Sequence, residues 1–168
     1  MLAVVTVLVV AALVWAAPIV QKFPAISDEF LTLAQIDKVQ LKVLMLDPAM
    51  AKAGIKPEDI YDDWKGHLKA ADITVVEGDA AEDMITIRLM FVLRKHEQVT
   101  DATTYLGLLM LEQPVRIERL DRTFVIPTYT GVEAGLTPNN KIADSTRKAL
   151  TTLISKFLKR TRESNLHF

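Results

Sequence analysis

Two neighbouring apolar segments constrain the fold of this chain more than any other part of its sequence. In the first, Met84 to Arg94, every second residue is apolar. In an extended strand, Ile85, Ile87, Leu89, Phe91 and Leu93 would therefore lie on the same face. This alternation predicts a strand with one buried face. In the second, Thr104 to Ile117, Leu106, Leu108 and Met110 fall on one side and Tyr105, Leu109 and Leu111 on the other. Apolar residues on both sides predict a central strand that is covered on both faces.

The other segments predict helices beside a sheet. We expect further strands at Val39 to Leu46, Ile73 to Val76 and Phe124 to Thr130, and helices at Pro57 to Ala71 and after Thr137 and Pro138. Pro127 lies within the last strand and cannot donate a ladder hydrogen bond, so it predicts an edge position or a bulge. The order predicts an α+β fold: a mostly antiparallel sheet of about five strands, with two main helices packed on one face.

Capping residues and apolar spacing predict where the helices begin and end. Ser27 is predicted to begin a short helix. Asp47 and Pro48 are predicted to occupy the N-cap and first position of the next helix, and Gly54 to end it. The predicted buried stripe of the final helix is Ile142, Ala149, Leu150, Leu153, Ile154, Phe157 and Leu158. Gly131 to Leu136 is expected to be a loop, and the chain from Thr161 onward is expected to fray. Two helices on one face leave the other face uncovered unless Ile26 to Ile36 or a partner packs there.

The N-terminal region predicts export. Met1 to Val20 has no charged residue and is long enough to span a bilayer, so residues 1–22 form either a signal peptide or an uncleaved membrane anchor. Residues 26–162 then form a single α+β domain, and residues 163–168 a frayed tail. We expect the protein to be exported across, or anchored in, the cytoplasmic membrane, with a periplasmic or extracellular domain.

The succession of segments resembles a group of small exported bacterial proteins of unknown function. The residues that carry the resemblance are the turn Asp47 to Gly54, the helix Pro57 to Ala71 running into Ile73-Thr-Val-Val, Gln113 near the end of a long strand, and the threonine, tyrosine and glycine residues of Thr128 to Gly135. The likeness extends from Val39 to Arg160. It departs at Tyr129, where that group often has tryptophan. It implies the fold and export, and no activity.

The sequence lacks the residue patterns of the common enzyme classes. Cysteine is absent, which excludes disulfides, thiolate chemistry and a lipid-modified cysteine. His67, His96 and His167 have no metal-ligand spacing, and no serine lies in a nucleophile motif. Gly131 and Gly135 are followed by Leu136 where a phosphate loop needs lysine. We therefore expect no enzyme activity, and no catalytic, cofactor-binding or metal-binding residues.

Charge is segregated along the chain, although the net charge is only -1. Acidic residues concentrate in Glu58 to Asp63 and Glu77 to Asp83, and a solvated surface is their simplest interpretation. The final helix is basic, and Lys148, Lys156, Lys159 and Arg160 could form either its soluble outer face or a face that contacts lipid headgroups. Nucleic acid is not an expected partner, because no aromatic residues are interleaved with these cations.

Two functional hypotheses follow. In the first, the protein is a non-enzymatic exported or membrane-tethered domain that binds an envelope protein or itself, as a homodimer, with residues 1–20 in the membrane if they are not cleaved. The candidate partner-binding residues are Met90, Val92, Tyr105, Tyr129, Gly131 and Glu133. In the second, it is a small-molecule or lipid binder, or a hydrolase, with a cleft between the long C-terminal helix and the sheet.

Overall fold

The computed structural model describes residues 28–45, 48–78, 84–95 and 101–166. The helices are α1 (Asp28–Leu31), α2 (Pro48–Lys52), α3 (Pro57–Lys69) and α4 (Ile142–Asn165), and the strands are β1 (Lys38–Met45), β2 (Thr74–Val75), β3 (Thr86–Lys95), β4 (Ala102–Ile117) and β5 (Arg122–Pro138). Short 3-10 turns lie at Glu118–Leu120 and Asn139–Lys141. The predicted helix start at Ser27 and cap at Asp47 lie outside the described residues.

The five strands form one sheet in the order β2-β1-β3-β4-β5. β3, β4 and β5 are antiparallel neighbours with long ladders, whereas β1 is parallel to both β2 and β3. A parallel pair needs a crossover, and α2 and α3 supply it between β1 and β2. The predicted α+β fold with a mostly antiparallel sheet is therefore confirmed, and the parallel pairing of β1 is a feature that the sequence did not predict.

Local sequence explains where the helices of the crossover begin and end. Gly54 has φ +73°, a left-handed conformation that favours glycine, and it follows the end of α2 as predicted. Pro57 opens α3 with Glu58 and Asp59 in its first turn, where the helix dipole favours carboxylates. The side of α3 that faces the sheet carries Ile60, Trp64 and Leu68, all buried and at helical spacing.

One face of the sheet, here the inner face, packs against α3 and α4. The alternation in β3 is confirmed, because Ile87, Leu89, Phe91 and Leu93 are buried on this face. The side chains of α4 that meet the sheet are those of the predicted stripe: Ala149, Leu150, Leu153, Ile154 and Phe157 are buried, and Ile142 and Leu158 are partly buried. Two main helices on one face, as predicted, thus enclose one continuous core.

The close approach of α4 to the sheet depends on glycine in β4. A β-carbon at Gly107 would stand 2.9 Å from a ring carbon of Phe91 and 3.0 Å from a methyl group of Leu153. Both of those side chains are themselves buried, so neither can move aside without disturbing the core. Gly107 is therefore a packing residue and not a turn residue.

Three predictions about local structure are wrong. Gly131 to Leu136 is not a loop but part of β5, which pairs with β4 through Pro138. The C-terminal region is helical to Asn165, and Ser164 is buried with its hydroxyl donating to the carbonyl of Phe30. β4 is central but not covered twice, because Leu106 remains exposed.

Pro127 combines both of the positions predicted for it. β5 is an edge strand, and the register passes from Leu111 opposite Tyr129 to Glu112 opposite Pro127, so that Thr128 is the extra residue of a bulge. The described part of the predicted cover, residues 28–36, does not pack on the outer face: α1 contacts α4 and β5, and Leu33 is buried in the core. No helix in the described part of the chain is long and apolar enough to span a membrane, and residues 1–20 lie outside that part.

The packing role of Gly107 predicts opposite effects for the same substitution at two glycines. Gly107→Ala should lower the free energy of unfolding by about 1–3 kcal/mol through overpacking. Gly66→Ala should raise it by about 0.5–1 kcal/mol, because Gly66 lies inside α3 with open space beside it. Urea unfolding followed by far-ultraviolet circular dichroism measures both. Equal effects at the two positions would contradict the packing role.

Candidate functional site

The sheet face opposite the helices carries a continuous set of apolar side chains, and we call it the open face. Its residues are Leu44 of β1, Met90 and Val92 of β3, Leu106, Leu108 and Met110 of β4, and Val132, Ala134 and Leu136 of β5. The register places Leu44 beside Met90, Met90 beside Leu108, and Leu108 beside Val132, so one apolar row crosses four strands. Such rows are built by strand alternation, which places every second residue on the same face.

The open face is accessible to solvent within the described structure. The exposed fractions are 43% for Leu106, 53% for Val132 and 62% for Leu136. From the strand spacing and the rise per residue, the apolar area extends over roughly 400 Å². The largest apolar patch of a typical monomeric protein is about 300–600 Å² and is often functional.

An ion pair borders this apolar area. Arg88 Nη2 donates to Glu112 Oε2 at 2.9 Å, linking β3 to β4 on the open face. The side chain of Glu112 is mostly buried there, and that of Arg88 is about one third exposed. The pair is neutral overall, so it limits the apolar area without giving the face a net charge.

The six candidate partner-binding residues are divided between the two faces of the sheet. Met90 and Val92 lie on the open face, whereas Tyr105, Tyr129, Gly131 and Glu133 lie on the inner face. Tyr129 is buried against Phe157, with ring centroids 5.8 Å apart, and Tyr105 stacks on Phe91 at 6.0 Å. The carboxylate of Glu133 accepts a hydrogen bond from Lys156. These inner-face residues therefore serve the contact between α4 and the sheet.

Sequence reasoning missed Leu44, Val132 and Leu136 as residues of the open face. The alternation of Val132, Ala134 and Leu136 was the signal that could have identified the β5 members. It was overlooked because Gly131 and Gly135 were interpreted as loop residues.

Most of the candidate lipid-headgroup residues have partners within the molecule. Lys156 pairs with Glu133, and Lys159 lies 3.8 Å from Glu163. The guanidinium of Arg160 lies over the rings of Phe30, at 5.0 Å, and Tyr129, at 5.7 Å. Lys148 is exposed on the outer side of α4. Arg160 thus holds α1 and β5 together through cation–π contacts.

The space between α4 and the sheet is filled by side chains. Leu153, Ile154 and Phe157 are at most 1% exposed, and a methyl group of Leu153 would touch a β-carbon at Gly107. A cavity of about 330 Å³ lies elsewhere, between α3 and α4. Its lining includes Asp59, Asp63 and Arg147 over apolar side chains.

Two acidic residues of the described segments, Asp63 and Glu77, have ordinary surface partners. Asp63 Oδ1 lies 3.7 Å from His67 Nε2. Lys65 donates to Glu77, and this contact lowers the pKa of the Glu77 carboxyl and raises the pKa of the Lys65 ammonium. Among the described residues, no three histidine, aspartate or glutamate side chains cluster as metal ligands would. His96, His167, Asp79, Glu82 and Asp83 lie outside those residues.

Comparisons with known proteins give similarities of structure alone. No protein-family model and no curated protein sequence matches the chain. A minor lipoprotein from Acinetobacter baumannii is 14% identical, with a TM-score of 0.36, over 79% of this chain and 94% of that one. An uncharacterized lipoprotein B from Nitrosomonas europaea is 9% identical, with a TM-score of 0.32, over 78% and 84%. The rare lipoprotein B from Shewanella oneidensis is 14% identical, with a TM-score of 0.24, over 74% and 89%. Likeness at this level assigns neither a family nor an activity.

The position of Arg160 predicts a structural role and not a surface role. Arg160→Ala should lower the free energy of unfolding by about 1–2 kcal/mol, because it removes cation–π contacts to two rings. Lys148→Ala, on the exposed side of the same helix, should change it by less than about 0.5 kcal/mol. Chemical unfolding compares the two, and hydrogen exchange should show faster opening of α1 in Arg160→Ala alone. Equal stability of the two variants would refute the role.

Proposed function

We propose that this protein is a non-enzymatic domain, exported or held at the membrane by its N-terminal leader, that binds an envelope protein or a second copy of itself. The binding surface is the open face. The observation that carries the proposal is the apolar row from Leu44 to Val132, which crosses four strands on the side of the sheet away from the helices.

The physical argument concerns the cost of leaving this face in water. Burying apolar surface contributes about 25 cal/mol per Å², so covering roughly 400 Å² contributes on the order of 10 kcal/mol before the costs of association are subtracted. A standard protein interface buries about 800 Å² on each partner. The open face therefore has the size of the apolar centre of such an interface, and the surrounding polar side chains would form its rim.

The leader supports the envelope as the location. Met1 to Val20 has the length and composition of a signal peptide or an anchor. An exported domain meets other envelope proteins, and one that stays anchored is also concentrated beside its neighbours, which strengthens weak contacts.

The filled interface between α4 and the sheet makes the ligand-binding alternative the weaker one. The ligand-binding hypothesis requires a cleft between α4 and the sheet, but Leu153, Ile154 and Phe157 fill that space and leave no room for a ligand. The non-enzymatic part of the proposal rests on the lack of nucleophile motifs and of metal-ligand spacing in the sequence.

Two substitutions on the open face test the proposal. Val132→Glu and Leu106→Glu place a charge among the apolar side chains while leaving the inner core intact, so partner binding should fall at least about tenfold with little change in stability. The assay combines pull-down of crosslinked partners from envelope membranes with sedimentation velocity of the purified protein. The two readouts distinguish an envelope partner from a second copy.

Leu166→Glu is the matched control, since Leu166 is an exposed apolar residue after α4 and away from the open face. It should leave both partner recovery and oligomeric state unchanged. A strictly monomeric protein that recovers no partner, or recovery that is the same in all three variants, would contradict the proposal.

A further inference from the structure

The β4–β5 hairpin continues beyond the rest of the sheet. The ladder between β3 and β4 ends at Thr86 opposite Glu112, whereas β4 and β5 stay paired for five more positions, from Gln113 opposite Ile126 to Ile117 opposite Arg122. At about 3.3 Å per residue, these positions project roughly 15–20 Å past β3. We call residues 113–126, including the turn at Glu118–Leu120, the ribbon.

The ribbon exposes large apolar side chains on both of its sides and at its tip. Leu120 lies at its tip and is 50% exposed, and the exposed fractions are 39% for Phe124, 52% for Val125 and 39% for Ile126. Phe124 and Ile126 lie on one side of the ribbon and Val125 on the other, because strand neighbours alternate. A single flat protein surface could cover only one of these sides. Immersion in an apolar phase would cover both.

The ribbon also carries three arginine residues among these apolar side chains. Arg116, Arg119 and Arg122 are all exposed on the ribbon and outnumber its exposed carboxylates, Glu118 and Asp121, and Arg116 forms an ion pair with Asp121. Apolar side chains mixed with arginine are typical of segments that rest in the headgroup region of anionic bilayers, where each cation is attracted to the surface.

The base of the ribbon adjoins the start of the described chain. Gln113 Nε2 donates to the carbonyl of Thr32 at 3.0 Å, and Thr32 directly follows α1. α1 begins at Asp28, eight residues after Val20, the end of the apolar leader. Eight residues span at most about 28 Å. A leader that stays in the bilayer therefore keeps Asp28 within that distance of the lipid, and Thr32, which the base of the ribbon contacts, lies about 6 Å further along α1.

We propose that the ribbon dips into the headgroup region of the bilayer that holds the leader, with Leu120 at the greatest depth. This inference rests on the membrane-tethered form of the proposed function. It gives the domain a second, reversible contact with lipid and fixes which end of the domain faces the membrane.

The absence of cysteine permits a direct test with single labels. Full-length Leu120→Cys and Lys52→Cys are each labelled with an environment-sensitive fluorophore and reconstituted in vesicles of phosphatidylcholine containing phosphatidylglycerol. Lys52 is the control because it is exposed at the end of α2, two residues before Gly54, which lines a cavity with Arg147 and Leu150 of α4 at the end of the sheet away from the ribbon. Circular dichroism confirms that both labelled proteins are folded.

The expected result is a blue-shifted emission at position 120 that nitroxide-labelled lipids quench at least about twofold, with little quenching at position 52. The double variant Arg119→Glu, Arg122→Glu should reduce the quenching at position 120 in vesicles that contain phosphatidylglycerol and leave it unchanged in phosphatidylcholine alone. This dependence on lipid charge separates a headgroup contact from simple apolar adsorption.

Other outcomes would overturn the inference. Carbonate washing and intact mass report whether the leader and the protein stay with the vesicles, independently of the labels. If they stay and position 120 is unquenched, the ribbon contact is refuted and the tether stands. If position 120 is blue-shifted but not quenched, protein and not lipid covers it. If the protein is released, the tether and the ribbon contact fail together, while binding through the open face is still measured by Val132→Glu.

Discussion

The fold depends on the contact between α4 and the middle of the sheet. A 24-residue helix can lie close to β4 because Gly107 presents no side chain there, and Phe91 and Leu153 fill the space that a β-carbon would need. Tight packing of this kind yields a large favourable dispersion energy and little tolerance for added volume. α3 packs on the same face, against β1 and β2, so no helix in the described part of the chain covers the apolar residues on the other face.

The parts of the fold that could be predicted are those set by local periodicity. The alternation in β3 and the apolar stripe of α4 are confirmed because each follows from the geometry of a single element. The predicted loop at Gly131 to Leu136 is wrong because glycine usually indicates a turn, whereas Gly131 here lies within β5, on the inner face beside Leu153 of α4. The helical C-terminus was missed because it depends on a hydrogen bond between Ser164 and Phe30, far apart in the chain.

The candidate site was predictable only in part for a related physical reason. Apolar residues on both sides of β4 indicated burial, but a pattern along one strand cannot distinguish cover by a helix from cover by another molecule. Met90 and Val92 were placed correctly beside the outer side of β4. Tyr129 and Glu133 were grouped with them because Thr128 to Gly135 was interpreted as a loop that contacts a partner, although the two-residue repeat of β5 directs both side chains to the helix side.

The position of β1 in the sheet sets an order of folding. β4 and β5 are joined by the short turn at Glu118–Leu120, so their ladder needs only local chain closure. β1 lies between β2 and β3, and its partner Ile87 follows Leu41 by 46 residues. A chain that emerges N-terminus first, from a ribosome or a translocation channel, must therefore hold most of β1 unpaired until β3 has followed, because β2 pairs only with Lys38 and Val39. For that interval, β1 depends on whatever keeps an unpaired apolar strand from aggregating.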